Sequence, residues 1–213
     1  MKRSGLIVVV MCIAVSTGSA EAELIEFEFG GSVTYVGWND IGLDVEPPWN
    51  QVQVEDVWSM SYVFESTTPD GILGDATVGS YLYTVQSYDL SVGSATVSDS
   101  SDSVVGHIDV FNIFFAQIDF YEVSIDILNG EAEWSLQLND PTGSAWNTDK
   151  LPLCGDIDLD NFTNKDFRIT LPITTSYNDM RGTVDYHTCR VVPEPATLSL
   201  LAIGAILAGR KRK

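Results

Sequence analysis

The sequence predicts an all-β fold, an antiparallel β-sandwich of jelly-roll type, on three observations. Apolar and polar residues alternate with a period of two along almost every apolar segment between residues 23 and 190. No stretch in that span keeps a helical period for three turns. Turn-forming residues divide the span into about eight to ten short strands, a pattern that favours a sandwich or jelly roll over a closed barrel.

The first predicted strand covers residues 25–35 and is half buried. Apolar residues of one parity face inward, and Gly30-Gly31 near its middle indicates a β-bulge. A loop over residues 38–50 follows, and residues 58–64 alternate as the second strand. The sequence Thr-Pro-Asp-Gly at 68–71 ends that strand with residues that favour a turn.

The middle of the chain continues the same pattern. Residues 81–85 and 88–92 are predicted as two strands or one bent strand, and residues 94–103, rich in Ser and Asp, as a surface turn. Further strands are predicted at 104–113 and 118–127. Asn129-Gly130 then favours a tight turn, which predicts a hairpin with a strand over residues 132–138. An irregular stretch runs to Asp166, and the last strands are predicted at 167–171 and 180–189.

Residues 1–22 are predicted to be a secretory signal peptide. Lys2-Arg3 precede an apolar run over residues 6–15, and small residues surround Ala20 and Ala22. The pattern leaves cleavage after either alanine open. We therefore expect the chain to pass through the Sec translocon and to be cut by signal peptidase.

The segment 191–213 is predicted to enter a membrane. Pro193, Glu194 and Pro195 precede an uncharged run over residues 196–208, and four cations follow: Arg210, Lys211, Arg212 and Lys213. At about 1.5 Å per residue, this run gives a short single transmembrane helix of roughly 20 Å. The four cations would stay cytoplasmic and act as a basic stop, so the preceding residues would face the exterior.

The order of Val-Pro-Glu-Pro-Ala-Thr at 192–197, the short apolar run and the basic cluster resembles the PEP-CTERM sorting signal. In that family an exosortase, a membrane-embedded cysteine transpeptidase-like enzyme of Gram-negative bacteria that make exopolysaccharide, reads the Pro-Glu-Pro motif. The resemblance implies a protein held transiently in the inner membrane and then passed to the cell surface or extracellular matrix. An ordinary tail anchor with a proline-containing linker is the alternative.

The body of the chain resembles, more loosely, a recurrent ectodomain of PEP-CTERM proteins. The similar pieces are residues 29–34, 57–70, 138–143 with 151–152, and 182–184. Such ectodomains resemble small β-sandwiches without an assigned chemistry, so no functional residue is carried over. We thus expect three parts: a signal peptide (1–22), an ectodomain (23–190) and a sorting signal (191–213).

The charge of the body excludes one class of partner. The whole chain carries a formal charge of −19. Glu21 and Glu194 are the only acids outside residues 23–192, so 28 of the 30 acids lie there with only five Lys and Arg. Nucleic acid and anionic lipid are bound through clustered cations, so neither is expected as a partner of the body. Such a surface suits a soluble exported protein.

Cys154 and Cys189 are the two cysteines that remain after signal-peptide removal. An even number of cysteines in an exported chain predicts a disulfide between them. The alternative is a metal pair formed by Cys189 with His187, but no further ligand occurs at metal-site spacing.

One acidic stretch has the spacing of a calcium loop. Its carboxylates at alternate positions resemble the start of an EF-hand or dockerin loop, with Asn161 where glycine is usual. The twelfth position, which should supply a bidentate acid, holds Phe167. A solvated acidic loop is therefore favoured, with weak or absent calcium dependence, and calcium is kept as an alternative. The candidate ligands are Asp156, Asp158, Asp160 and Asp166.

The residue types that carry enzyme chemistry do not form a recognised motif. His107 and His187 are the only histidines, and we expect both on exposed strand faces beside Asp109 and Asp185. No nucleophile elbow, zinc-binding helix or phosphate loop occurs. Carboxylate pairs suited to glycoside hydrolysis stay open among so many acids. We therefore expect no enzymatic activity, no catalytic residue and no cofactor, with a secreted hydrolase as the least favoured alternative.

Tryptophans in loops suggest a different alternative. Trp38, Trp49 and Trp146 fall in predicted loops, where an aromatic ring can stack on a sugar or fold over the edge of a sandwich. A carbohydrate-binding ectodomain is therefore the main alternative. The favoured interpretation is an exported structural or adhesive protein of a biofilm, with exosortase as processing enzyme and exopolysaccharide as a further partner.

Overall fold

The computed structural model describes residues 22–37, 47–72, 74–101, 103–113, 118–127, 132–146, 148–171 and 178–193. Eleven strands lie within these residues, so the predicted all-β class is confirmed for them. The strands are β1 (Leu24–Val36), β2 (Val57–Glu65), β3 (Val78–Leu82), β4 (Val85–Val92), β5 (Ala95–Asp99), β6 (Gly106–Ile113), β7 (Ile118–Ile127), β8 (Ala132–Asp140), β9 (Asn164–Leu171), β10 (Asn178–Thr183) and β11 (Tyr186–Val192).

The two predicted membrane-directed segments lie almost entirely outside the described residues. Of the predicted signal peptide (1–22) the structure describes only Ala22, and the apolar run at 196–208 lies wholly outside the described residues. Among the residues it does describe, no helix is long and apolar enough to cross a membrane.

The strands pair antiparallel and form one curled sheet. Their order is β3-β6-β7-β8-β9-β10-β1-β2-β4-β5, and β11 pairs with β1. Strand β1 belongs to both halves of the sheet, because its first part pairs with β2 and β11 and its last part pairs with β10. We call the half built of β11, β1, β2, β4 and β5 the first half, and the half running from β3 to β10 the second half.

The hydrophobic core lies between the two halves. The indole of Trp58 on β2 stacks on Phe167 of β9, with ring centroids 4.1 Å apart. The hydroxyl groups of Tyr62 on β2 and Tyr121 on β7 form a hydrogen bond of 2.6 Å, and both side chains are fully buried. The alternating apolar residues that predicted the strands thus point into one shared interior.

Gly30 and Gly31 do not form the predicted β-bulge; they lie where neighbouring atoms leave no room for a side chain. Pairing of β1 with β2 continues in register through both glycines, and the shift lies instead between Val33 and Tyr35. A Cβ on Gly31 would lie 2.0 Å from the Thr183 carbonyl oxygen, and one on Gly30 would meet the ring of Tyr186. The glycines are needed because the chain from β10 to β11 runs close alongside β1 at this point.

Two other element predictions are wrong. Residues 94–103 were expected to be a surface turn, but Ala95–Asp99 forms β5 against β4, with Ala95 fully buried. Residues 180–189 were expected to be one strand, but Val184 and Asp185 separate β10 from β11. The break separates β10, which lies between β9 and the last part of β1, from β11, which pairs with the first part of β1.

The predicted boundaries near residue 85 are also corrected. Strand β3 ends at Leu82, and Tyr83 adopts a positive φ of 56° before β4 starts at Val85. The two segments therefore form separate strands, and they belong to different halves because β3 pairs with β6 and β4 pairs with β2. The predicted hairpin of β7 and β8 is confirmed by their antiparallel register, which begins at Ile127 and Ala132.

Candidate functional site

Strand β11 leads directly into the predicted sorting segment. It ends at Val192, and the next residue, Pro193, is exposed. Proline has no backbone N–H to donate to a neighbouring strand, so it cannot extend the ladder. Pro193 is the last described residue, and Glu194, Pro195 and the cations at 210–213 lie outside the described residues.

The start of β1 and the end of β11 lie side by side. Seven consecutive residue pairs join the two strands, from Gly30 opposite Tyr186 to Leu24 opposite Val192. Glu23 is fixed beyond the ladder, because its backbone N–H donates to the Ser66 hydroxyl at 3.1 Å. The residues that follow the predicted signal peptide and those that precede the sorting segment therefore emerge at the same end of the domain.

Side chains on the outer face reinforce the β1–β11 pairing. The guanidinium of Arg190 donates to both carboxylate oxygens of Glu26, through Nε at 2.9 Å and Nη2 at 2.8 Å. The hydroxyl of Tyr186 donates to Glu28 at 3.1 Å. Because Arg190 is largely exposed, we expect this ion pair to add no more than about 1 kcal/mol.

Cys154 and Cys189 lie at disulfide-bonding distance, with their Cα atoms 5.4 Å apart. Cys154 lies in the turn before β9, and Cys189 lies in β11. The pairing favours the predicted disulfide over the alternative metal pair of Cys189 with His187. The bond would fasten the strand that precedes the sorting segment to the remainder of the fold.

His187 does not lie on an exposed polar face as predicted. Its ring packs against Phe27 and Phe29, with centroids 5.1 and 4.8 Å apart. Burial lowers the pKa of His187, so the neutral form is favoured. The sequence predicts the wrong face for His187 because it treats residues 180–189 as one strand, whereas β11 begins only at Tyr186. His107 does lie partly exposed, 3.8 Å from the Asp109 carboxylate.

The end of the chain, from the last two residues of β11 onward, matches a known family, that of the PEP-CTERM protein-sorting motif, over residues 191–213. The chain carries a PEP-CTERM sorting motif. The match begins on the last two residues of β11, so the PEP-CTERM motif follows the β1–β11 ladder without a spacer. No curated protein and no solved structure matches the chain significantly.

The acids of the candidate calcium loop take part in local structure. Asp156 accepts a hydrogen bond from the Leu153 backbone N–H at 2.7 Å, and Asp158 accepts one from the Asp160 N–H at 3.1 Å. Asp166 lies on β9, paired with Gln137. In the part of the chain that the structure describes, no three His, Cys, Asp or Glu side chains are grouped to hold a metal ion.

Two of the three loop tryptophans cannot offer a sugar-stacking face. The exposed fraction is 6% for Trp49 and 9% for Trp146. The ring of Trp146 packs against Phe162, with centroids 5.5 Å apart, and against Tyr121. A sugar site built on Trp49 and Trp146 is therefore wrong, because both rings complete the core. Trp38 lies outside the described residues.

Sequence reasoning missed a buried carboxylate pair. Asp119 on β7 and Asp140 on β8 are register partners, and both are buried. Asp119 accepts a hydrogen bond from the Trp146 N–H at 2.7 Å, and Asp140 accepts one from the Ser144 N–H at 2.8 Å. The two acids fasten the loop that carries Trp146. The Asp-Pro-Thr-Gly-Ser sequence at 140–144 was the available signal, since aspartate often caps such turns.

The two carboxyl groups of this pair titrate differently. Burial, together with the charge of Asp140, raises the pKa of Asp119 despite its hydrogen bond. Desolvation acts in the same direction on Asp140, but hydrogen bonds from Ser144 and Thr142 outweigh it and lower the pKa to about 2. Since both groups are occupied by the backbone of their own loop, their arrangement indicates a structural role.

A second charged cluster, on the outer face of the second half, was also missed. Arg168 and Arg181 are register partners on β9 and β10. Arg181 donates through Nε to Oδ2 of Asp179 at 2.6 Å, and Arg168 Nε lies in ion-pair contact with the same oxygen, 2.9 Å away. Asp179 is only 2% exposed. We call these three residues the Arg-Asp-Arg cluster. Alternation along single strands cannot reveal it, because its members meet only through strand pairing.

Proposed function

We propose that this chain is an exported cell-surface or extracellular-matrix protein that an exosortase processes at its C-terminal segment. The PEP-CTERM match at residues 191–213 carries the proposal. The motif suggests sorting of an exported protein toward the cell envelope, and exosortase is the enzyme that reads such motifs. The Gram-negative inner membrane is the proposed transient location.

The junction geometry supports this proposal. Only Pro193, Glu194 and Pro195 separate the last paired residue, Val192, from the apolar run that starts at residue 196. At about 3.3 Å per extended residue, this segment reaches roughly 10 Å. Each proline fixes its own φ and restricts the preceding residue. Glu194 would thus be presented at a set height between the folded domain and the membrane.

We infer that residues 23–190 form a β-sandwich ectodomain with a structural or adhesive role in exopolysaccharide. Contacts between the facing halves of the sheet, such as Trp58 on Phe167, support the sandwich. The acid-rich surface supports solubility outside the cell and disfavours nucleic acid as a partner. Because Asp119 and Asp140 are engaged by their own loop, we assign no catalytic residue to them.

The proposal is tested by changing the motif in a host that has an exosortase. We expect Glu194→Ala, and separately the double change of Pro193 and Pro195 to alanine, to leave export intact while uncleaved precursor accumulates in the membrane fraction. Asp185→Ala, an exposed acid just before β11, is the matched control and should be processed normally. Normal processing of all three variants would contradict recognition of the motif.

A further inference from the structure

A polar groove crosses the outer face of the second half, next to the Arg-Asp-Arg cluster. Strands β7 to β10 line it, and its side chains are planar or hydroxyl-bearing. Its principal polar residues are Glu122, Glu133, Ser135, Gln137, Arg168 and Arg181. The surface therefore alternates hydrogen-bond donors and acceptors over four neighbouring strands.

The groove side chains are held in place before any ligand arrives. Asp179, buried beneath the two arginines, accepts a hydrogen bond from Arg181 Nε at 2.6 Å and forms an ion pair with Arg168. Across the groove, the amide of Gln137 donates to Glu122 at 2.8 Å. Groups that are already fixed lose little conformational entropy on binding, so the groove is preorganised.

Two like charges directly opposite each other in a sheet destabilise it unless they are compensated. Arg168 and Arg181 occupy such positions, although the body has only five cations among 28 acids. Asp179 lies within ion-pair distance of both guanidinium groups. Arg181 remains largely exposed, and its guanidinium lies 5.7 Å from the ring centroid of Tyr35, itself 40% exposed. The Tyr35 ring and the exposed Arg181 guanidinium therefore lie next to each other at this end of the groove.

The surrounding charge decides which ligand class fits. Glu122, Glu133 and Asp166 lie in the same groove as the two arginines, so the local surface is not cationic. An anionic polymer would also meet the excess of acids over the whole body. A neutral sugar chain avoids this repulsion, and its paired hydroxyl groups suit planar side chains that both donate and accept.

We propose that this groove binds a neutral polysaccharide, with Arg181 hydrogen-bonding sugar hydroxyls and Tyr35 contacting a sugar ring. This inference rests on the proposed role in exopolysaccharide. It adds which surface binds the polymer and which class of polysaccharide is bound. The proposed site lies on a sheet face and does not use Trp49 or Trp146, which are buried.

Affinity electrophoresis tests the proposal with the exported protein as the host processes it. Native gels contain dextran, galactomannan, hydroxyethyl cellulose or, as the anionic comparison, alginate. Arg181→Lys keeps a charge near Asp179 but loses the planar fork of donors. Tyr35→Ser removes the ring. Arg190→Lys is the matched control, because Arg190 is likewise ion-paired on an outer face, but in the first half.

We expect retardation by at least one neutral polysaccharide, unchanged at 0.5 M salt. Arg181→Lys and Tyr35→Ser should each weaken the apparent affinity about tenfold, and Arg190→Lys should not. The proposal is overturned if no neutral gel retards the protein, if either groove variant binds like the wild type, if Arg190→Lys weakens binding equally, or if only alginate binds. Normal processing without retardation would overturn the groove alone and leave the proposed sorting intact.

Discussion

Leu24, the first residue of β1, lies directly opposite Val192, the last residue of β11. The two strands run antiparallel, so β1 leaves this end of the domain and β11 returns to it. A precursor with an N-terminal signal peptide and a C-terminal basic stop would match these strand directions. Its chain would leave the membrane after the signal peptide and return to the membrane at the segment before the basic stop. The ladder would then keep both crossings close together in the precursor, with the ectodomain held above them.

The Cys154–Cys189 link should stabilise the strand that carries the motif. In the chain-entropy model, closing a loop with a sequence separation of 35 contributes about 3–4 kcal/mol. Replacing both cysteines with serine should therefore lower the free energy of unfolding in urea by about that amount. Titration of two free thiols in native protein recovered from the medium would contradict the bond.

The two halves of the sheet should be coupled through their tyrosine pair. Tyr62→Phe or Tyr121→Phe alone leaves one buried hydroxyl without its partner, so each should cost about 1–2 kcal/mol. The double change removes both hydroxyls and should cost less than the sum of the single changes. A double-mutant cycle in urea measures this, and additive costs would mean that the hydroxyls are not coupled.

Asp140 should make stability fall in acid. Its pKa is about 2 in the folded protein against an ordinary value of 3.8, so its stabilising contribution is complete above about pH 4 and is lost as the pH falls toward 2. Asp140→Asn should flatten the stability profile in that window. Asp119→Asn is the matched control, because the pKa of Asp119 is raised and its ionisation stabilises nothing there. Equal flattening by both variants would contradict this assignment.

The alternation of apolar and polar residues predicted the strands that bury one apolar face and expose the other, polar face. The β7–β8 hairpin and the inward parity of Phe27 and Phe29 follow from local pattern alone. Strand β5 was missed because residues 94–103 are rich in Ser and Asp, and in β5 itself only Ala95 and Val97 pack against the core. A short edge strand needs little apolar surface, so composition alone makes it resemble a turn.

The remaining features depend on contacts between distant parts of the chain. The sequence predicts a β-bulge at Gly31, whereas in the structure the missing side chain leaves room for the Thr183 carbonyl oxygen. The Arg-Asp-Arg cluster forms only when β9 and β10 are in register. Neither relationship is encoded in local periodicity, and the pair of Asp119 and Asp140 likewise needs the register of β7 with β8.

The mass of the mature C-terminus tests the central claim most directly. Wild-type protein is recovered from the surface or medium of a host with an exosortase, digested, and its last peptide is identified by mass spectrometry. We expect a C-terminus in or beside Pro193, Glu194 and Pro195, with residues 196–213 removed. Surface protein that still ends at Lys213 would show that the segment is only an anchor and would contradict the proposed processing.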